Sequence, residues 1–481
     1  MYEFALILSV VCFLGVAIFY LRSPVASIFH PFTLYLLFHG FIFVFRPIVA
    51  YFFDFRAIYY FFRFTPSAYD KITALAASNL GFLVFAYTCL AFGWVPMRFK
   101  QDAITLAERD RLKQTFFAVM LIWVPIGAYS LYTVWGFTSS GSGYQGMVTD
   151  RGTGTAVNTT GNGYLFEAQL ALATVGAMIA WLYRFRLLAM VPLLAFILFR
   201  AGIGGRGPFI IAAVAAALIW MYERRMRMPS AAALLGLAVA AGLFVSIGQD
   251  RGQSIRQLLG SNDARAVLIY GGYERKMRPL EGMDFGNLEF FEYLVYAIPQ
   301  RTGTYSYFLD NLQVFTEPIP RALWPGKPIG APFNRIFLFD YGAPNGMTRS
   351  LPGEGWFGWG WFGVIVVCGT WGAALGSLYR RYVVSSQNSL VTAAYMMFLP
   401  TLIVGFRDGQ IVTLLREGLF FQAPILLWAI LARLGGVPKA SEVRARLKRR
   451  PAVDRQDESI GRALPAGPKR FSRGRTDFRE G

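Results

Sequence analysis

The sequence predicts an all-α polytopic membrane protein with about eleven transmembrane helices and one large loop on the outer side. Of its 481 residues, 55% are apolar and 16% are charged, whereas soluble domains carry about 25% charged residues. Residues 6–20, 72–94 and 231–248 contain no charge, and about 20 apolar residues suffice for a helix to cross the hydrocarbon core. This composition excludes a soluble enzyme and a nucleic-acid-binding protein held by a membrane tether.

Eleven apolar segments are predicted to cross the membrane as helices. The first has neither a basic start nor a small-residue cleavage site, so we expect it to remain as an anchor rather than be removed as a signal peptide. The predicted spans are residues 3–21, 32–50, 72–96, 115–137, 164–182, 187–203, 208–222, 231–248, 356–378, 389–406 and 411–434.

The formal net charge of +19 comes from basic residues that concentrate in short loops and in the tail. With eleven spans, the basic clusters all fall on one side, which the excess of Lys and Arg in cytoplasmic loops identifies as the cytoplasm. The N-terminus is then outside and the C-terminus inside, and nucleic acid is not needed to explain the charge. The clusters lie at 97–114, 184–186, 223–230, 380–381 and after 439.

This topology divides the chain into four regions. The last is rich in Arg, Pro, Gly and Ser, which predicts disorder and contact with anionic headgroups. Within the outer loop, residues 288–309 have helical apolar spacing and are predicted to lie on or dip into the membrane, although Pro299 opposes one straight helix. The regions are helices 1–8 (1–248), the outer loop (249–355), helices 9–11 (356–434) and the basic tail (435–481).

Residues that could hold a metal or a nucleotide are scarce in this chain. The three cysteines lie within apolar runs without paired spacing, and His30 and His39 belong to no metal-binding motif. The glycines at 204–207 lack the spacing of a nucleotide loop. The sequence therefore predicts no metal site and no cofactor.

Basic side chains recur on the outer side, where the positive-inside bias should deplete them. Any one of these arginines can be explained without a ligand, because an arginine near a span end extends to lipid headgroups. Arg416 has a second explanation of this kind, an ion pair with the adjacent Glu417. Together they form a candidate phosphate clamp, because the guanidinium fork matches phosphate oxygens. The residues are Arg206 and Arg407 in short turns, Arg251, Arg301, Arg321 and Lys327 in the outer loop, and Arg416 in the last span.

Two further outer segments carry candidate side chains. Residues 317–328 are rich in proline and include Trp324, and 351–363 are rich in glycine and aromatic residues. The aromatic side chains fit either an interfacial belt or a surface that stacks on sugar rings. Glu354 lies between two glycines, where a carboxylate could approach a substrate and accept a proton; Asp250 and Asp408 are the alternatives.

At these residues the chain resembles the O-antigen polymerases (Wzy-type), which polymerise oligosaccharide repeat units. The overall layout is similar over about residues 1–435, with many spans and one large external loop late in the chain. The similar motifs are Arg-Gly-Pro at 206–208, Pro-Arg-x-Leu-Trp-Pro-x-Lys-Pro at 320–328, Gly-Glu-Gly at 353–355 and Arg-Asp-Gly at 407–409.

The resemblance implies a GT-C-like architecture and a glycosyltransferase that works at the periplasmic face of the bacterial inner membrane. Its donor and acceptor would be undecaprenyl-pyrophosphate-linked glycans, and its product a surface polysaccharide such as O-antigen. The expected partners are the lipid bilayer, a flippase and a chain-length-regulating co-polymerase. The large loop would be periplasmic, and no nucleic acid is expected.

The candidate residues can be assigned roles in such a transfer. Arg206 and Arg407 would stabilise the charge on the departing pyrophosphate, and Glu354 would act as general base. The remaining candidates would bind substrate: Arg251, Arg301, Arg321, Lys327, Arg416 and Trp324.

Two classes of alternative stay open: another enzyme, either an O-antigen ligase or a GT-C glycosyltransferase, and a flippase or transporter without catalysis. An O-antigen ligase is often assigned an external histidine, which this chain lacks because His30 is predicted inside and His39 mid-span. A GT-C enzyme with a monosaccharyl lipid donor would carry an acidic pair in its first external loop, whereas Asp54 and Asp70 stand alone. A flippase or transporter would show inverted repeats and ionisable residues in several spans, and neither is evident.

Overall fold

The fold is known from a computed structural model that describes most of the chain up to residue 437. The structure describes the backbone alone, without the side chain, at residues 106–109, 137–139, 147, 149, 156–158, 206 and 385. The described residues are 1–99, 106–139, 147–149, 156–158, 163–203, 206–230, 236, 278, 280–333, 335–385, 389–437 and 442.

The described residues form a bundle of apolar helices. Eight of those described are long and apolar enough to cross a membrane, and two shorter ones coincide with predicted spans six and seven. This confirms a helical, multi-pass membrane protein. The predicted span at 231–248 lies outside the described residues except for 236, so the total of eleven stays a prediction.

The helix bounds follow the apolar segments closely. A π-helical turn, Gly40–Phe45, joins α2 to α3 in one span, and strands Met147–Thr149 and Ala156–Asn158 pair antiparallel. The helices are α1 (Tyr2–Arg22), α2 (Pro31–His39), α3 (Arg46–Phe53), α4 (Ala57–Phe62), α5 (Ala68–Gly93), α6 (Leu106–Ser139), α7 (Gly163–Glu167), α8 (Leu170–Leu182), α9 (Leu187–Gly202), α10 (Arg206–Glu223), α11 (Asn287–Ala297), α12 (Gln313–Thr316), α13 (Leu351–Ser385), α14 (Ser389–Asp408) and α15 (Ile411–Leu434).

Helices α5 and α13 form the closest pair in the bundle. Glycines on α13 allow this approach: a Cβ on Gly372 would overlap the Thr88 hydroxyl, and one on Gly376 would overlap the Cys89 carbonyl. Small residues at helix contacts are the usual means of close packing in membranes, where lipid is as apolar as the side chains. This pair positions the start of α13 against the outer loop.

Contacts between segments at or near the helix termini identify the two ends of the bundle. At the first, the Ile28 amide donates to the Arg227 carbonyl at 2.9 Å and the Trp428 indole to the Leu112 carbonyl at 3.0 Å. At the second, the loop end, the Ser350 amide donates to the Arg407 carbonyl at 2.9 Å. Described basic turns and the outer loop therefore lie at opposite ends, whereas the membrane side of each end stays a prediction.

The helix predicted within 288–309 forms in its first half. α11 ends at Ala297, before Pro299, and a 3-10 turn begins at Leu309. Every residue of α11 except Tyr296 is buried, against α5 and α13 among others. Helix α11 is therefore enclosed by protein, and its position relative to the membrane stays a prediction.

Helix α13 begins five residues before the predicted span and is interrupted near its start. Trp359 and Gly360 have non-helical backbone angles. Two amides of the preceding loop, from Ser306 and Tyr307, donate to the carbonyls of Phe357 and Gly358 at 3.0 and 2.9 Å. The loop thus satisfies carbonyls that the interrupted helix leaves unpaired, as a membrane environment requires.

Candidate functional site

A cleft at the loop end brings together three of the predicted basic residues. We call it the cationic cleft; its volume is about 170 Å³. Arg321 and Lys327 come from the proline-rich segment, and Arg416 comes from the second turn of α15. The remaining lining residues are Gly163, Tyr164, Phe166, Glu167, Gln313, Glu317, Ile319, Pro320, Pro328 and Gly330.

The carboxylate of Glu317 lies between two of these cations. Its Oε1 is 3.4 Å from Nη1 of Arg416, and its Oε2 is 3.6 Å from Nζ of Lys327. Glu167 approaches Nε of Arg416 at 4.0 Å. Arg416 therefore has ion-pair partners in the cleft, not only the adjacent Glu417 considered from the sequence. These separations are long for charge-assisted hydrogen bonds, which are normally about 2.7–2.9 Å.

The proline-rich segment folds back on itself. Arg321 donates from Nη1 to the Lys327 carbonyl at 2.5 Å and from Nη2 to the Pro328 carbonyl at 2.9 Å. Nζ of Lys327 donates to the carbonyls of Glu317 and Ile319 at 3.1 and 3.2 Å. Arg321 thus holds the loop, while Lys327 and Arg416 are the cations that face Glu317. Trp324 lies exposed on this loop.

Beside the cleft, a buried cluster contains Glu354, and we call it the buried triad: Arg349, Asp310 and Glu354. Nη1 of Arg349 donates to Asp310 Oδ2 at 2.5 Å and to Glu354 Oε2 at 2.8 Å. Asn311 donates to Glu354 Oε1 at 3.1 Å, and the Arg349 guanidinium lies 3.7 Å from the Phe357 ring centre. Both Glu354 oxygens therefore accept hydrogen bonds inside the protein.

The triad is held by charge. Burial would lower the pKa of Arg349, but the carboxylates of Glu354 and Asp310 more than reverse this and raise it. Arg349 therefore remains a cation, and Glu354, 2% exposed, is joined through it to Asp310 of the preceding loop. The general-base role of Glu354 stays a prediction, and its geometry favours a positioning role.

The Arg-Asp-Gly turn packs directly on the triad segment. The Arg407 carbonyl accepts from the Ser350 amide at 2.9 Å and from Asn287 Nδ2 at 2.8 Å. The Arg407 side chain is 38% exposed, and its Nη2 is 3.4 Å from Asp284 Oδ1. The structure therefore brings the predicted Arg407 and Glu354 segments together, with the guanidinium only loosely engaged.

Gly409 is expected to be intolerant of a side chain. Its φ is +79°, and a Cβ would overlap the Ser350 carbonyl and lie 2.9 Å from the Glu354 Cβ. We expect Gly409→Ala to lower the free energy of unfolding by at least about 1–3 kcal/mol, from backbone strain alone. Gly418→Ala is the matched control, because nothing lies within 4 Å of its Cβ position; its melting temperature in detergent should not fall. Equal melting temperatures for the two variants would contradict this packing.

Three predicted residues are not part of these clusters. Arg301 donates to the Tyr296 carbonyl and stacks 3.4 Å from that ring's centre, at an exposed position. The Arg206 side chain and all of Arg251 lie outside the described residues, although the Arg206 backbone begins α10. Among the residues described, no group of His, Cys, Asp and Glu could hold a metal.

A second buried ionic cluster joins α11 to the first helices. Nη1 of Arg46, a fully buried residue, donates to Glu289 Oε1 at 2.6 Å. Tyr59 donates to Glu292 Oε2 at 2.7 Å, and Lys71 Nζ lies 5.1 Å from the Tyr59 ring centre. No motif in the sequence predicts this cluster; its one signal is Arg46, which interrupts an apolar run and therefore indicates a buried partner.

Stability should depend on pH through Glu292. Burial and, secondarily, Glu289 raise the pKa of Glu292 to about 8, whereas an unfolded glutamate titrates near 4.3. Because the folded pKa is the higher one, stability is greatest below about pH 4 and is lost as pH rises to about 8. Thermal unfolding of Glu292→Gln between pH 5 and 9 should show a weaker fall than the parent protein. An identical slope in both proteins would contradict the titration of Glu292.

The triad and the cleft share one short segment. Asp310 and Asn311 belong to the triad side, and Gln313 and Glu317 line the cleft. Asp310 and Asn311 are not predictable as site residues, because polar residues in a loop give no signal of their partners. A comparison with protein-family models, curated proteins and solved structures found no match to this chain.

Proposed function

We propose that this chain is a metal-independent membrane glycosyltransferase that polymerises undecaprenyl-pyrophosphate-linked repeat units into a bacterial surface polysaccharide. The observation that carries the proposal is the cationic cleft at the loop end of an apolar helical bundle. A lipid-linked pyrophosphate lies at the membrane-water boundary when its tail stays in the bilayer, and that boundary is predicted near the helix ends that border the cleft. The resemblance of the surrounding motifs to O-antigen polymerases supports the same substrate.

Glycosyl transfer from a pyrophosphate donor requires, above all, cations that stabilise the leaving group. The acceptor hydroxyl attacks the anomeric carbon of the donor, the bond from that carbon to the pyrophosphate oxygen breaks, and charge develops on the departing pyrophosphate. Fixed guanidinium and ammonium groups stabilise this charge. Lys327 and Arg416 in the cleft and the half-exposed Arg407 nearby are the described candidates, with Arg206 and Arg251 as further ones.

A carboxylate must take the proton of the attacking hydroxyl. Glu354 was the choice from the sequence, but it is sealed in the triad. Glu167 lines the cleft with a side chain that is 31% exposed, so it is the better-placed base. In this proposal Glu354 orients the start of α13, and Glu167 accepts the proton.

The proposed location is the inner membrane, with the loop end periplasmic and the tail cytoplasmic. A flippase would supply the lipid-linked unit, and a co-polymerase would regulate chain length. The test is to incubate the purified full-length protein in lipid with a lipid-linked repeat unit and to analyse the product by gel. A ladder supports polymerisation. Product that forms only with added lipid A-core identifies a ligase, and no product at all contradicts a transferase.

A further inference from the structure

We propose that Glu317 is a displaceable internal anion: a phosphate-bearing ligand binds Arg416 and Lys327 by replacing the Glu317 carboxylate between them. This inference deepens the proposed function, on which the identity of the lipid-linked ligand rests. It makes Glu317 a residue that weakens ligand binding, and removal of its charge should therefore strengthen binding.

The geometry separates this carboxylate from the structural ones. The triad and the Arg46–Glu289 pair are buried and held at 2.5–2.8 Å. Glu317 is held at 3.4 and 3.6 Å, and its side chain is 22% exposed, beside an Arg416 that is 40% exposed. Lys327 is less exposed, at 10%, but both ion-pair distances exceed the roughly 2.7–2.9 Å of a charge-assisted hydrogen bond. An anion that reaches the cations at that shorter distance can therefore take the place of this carboxylate.

The cations stay in position when Glu317 moves. Lys327 Nζ remains bound to two backbone carbonyls, and Arg321 keeps the loop closed through two others. The displaced carboxylate also has a partner within its own turn, because Gln313 Nε2 donates to its Oε2 at 3.3 Å. Exchange therefore needs a side-chain rotation but no rearrangement of the loop.

The cleft suits a small, highly charged group. Its volume of about 170 Å³ accommodates a phosphate-sized group, and because the cleft is open, an attached glycan can extend beyond it. A phosphate dianion or a diphosphate makes several hydrogen bonds to Arg416 where one carboxylate now makes a long one. Free diphosphate and a phospholipid headgroup share this chemistry.

The experiment measures binding of radiolabelled inorganic pyrophosphate to the full-length protein in nanodiscs of neutral phosphatidylcholine. Glu317→Gln should bind about three- to fivefold more tightly than the parent, as expected for loss of one weakly held competing carboxylate. Arg416→Ala should bind at least about tenfold more weakly. Two matched controls should match the parent: Asp54→Asn removes one charge from an exposed pair elsewhere, and Arg433→Ala removes an exposed arginine at the other end of α15.

A second arm adds phosphatidylglycerol to the nanodiscs. If phosphatidylglycerol competes with pyrophosphate, the cleft binds a membrane headgroup. If it does not compete, the cleft binds diphosphate that approaches from water. Either result supports displacement of Glu317, provided that Glu317→Gln binds pyrophosphate more tightly than the parent. Equal or weaker binding by Glu317→Gln, with an unchanged melting temperature, overturns the inference. A ladder from the parent protein with no effect of Glu317→Gln overturns this inference alone, whereas tightened binding without a ladder overturns only the proposed function.

Discussion

Replacing Arg349 with alanine is expected to destabilise the protein by about 3–5 kcal/mol, because it leaves two buried carboxylates without their cation. Asp310 and Glu354 are 7% and 2% exposed, and both accept from Nη1 of Arg349. The variant should also lose the stacking on Phe357. Thermal unfolding in detergent, followed by tryptophan fluorescence, measures the effect.

Two comparisons decide whether charge is the cause. Arg301→Ala removes an exposed arginine from the same loop and should leave the melting temperature nearly unchanged. Neutralising the whole triad, as Asp310→Asn, Arg349→Met and Glu354→Gln together, should recover most of the stability, because replacing all partners of a buried ion cluster is far less harmful than removing one. A triple variant as unstable as Arg349→Ala would show that shape, not charge balance, holds this segment.

Replacing Arg407 with alanine is expected to slow polymerisation about 100-fold, the usual effect of removing one donor that stabilises transition-state charge. The fold should persist, because the Arg407 carbonyl holds Ser350 and Asn287 whatever the side chain. The reaction should then leave single repeat units on the lipid carrier. Rates are read from the appearance of ladder bands under single-turnover conditions.

Arg433→Ala is the control, since it removes an exposed arginine from the opposite end of the bundle. Arg407→Lys should restore part of the rate, because an ammonium supplies charge without the bidentate fork. Full-length polymer at the parent rate from Arg407→Ala would exclude Arg407 from the clamp. The same assay tests Arg206, whose side chain lies outside the described residues.

The transmembrane helices could be predicted because a long uncharged run has few alternatives to crossing the bilayer. The buried position of α11 could not be predicted from the sequence. Its Glu289 and Glu292 argue for contact with water when considered alone, and only the distant Arg46 and Tyr59 make burial favourable. Such partners are separated by more than 200 residues, so no local pattern indicates them.

The candidate site, like the fold, could be predicted only in part from the sequence. Arg321, Lys327 and Arg416 were identified because cations on the outer side oppose the charge bias, and they do share a cleft. The glycine neighbours of Glu354 suggest close approach of a substrate, yet a Cβ on Gly355 would lie 2.5 Å from the Val364 Cα. That glycine allows close contact across the interruption of α13. Whether a charge faces a ligand or a partner depends on tertiary contacts that the sequence does not display.

The interruption of α13 has implications for biogenesis. Nascent chain emerges in order, so the loop carrying Ser306 and Tyr307 is synthesised before the helix whose carbonyls it satisfies. The donors for the Phe357 and Gly358 carbonyls are therefore already present when α13 is made. The interrupted helix can satisfy these carbonyls in the bilayer without waiting for any later part of the chain.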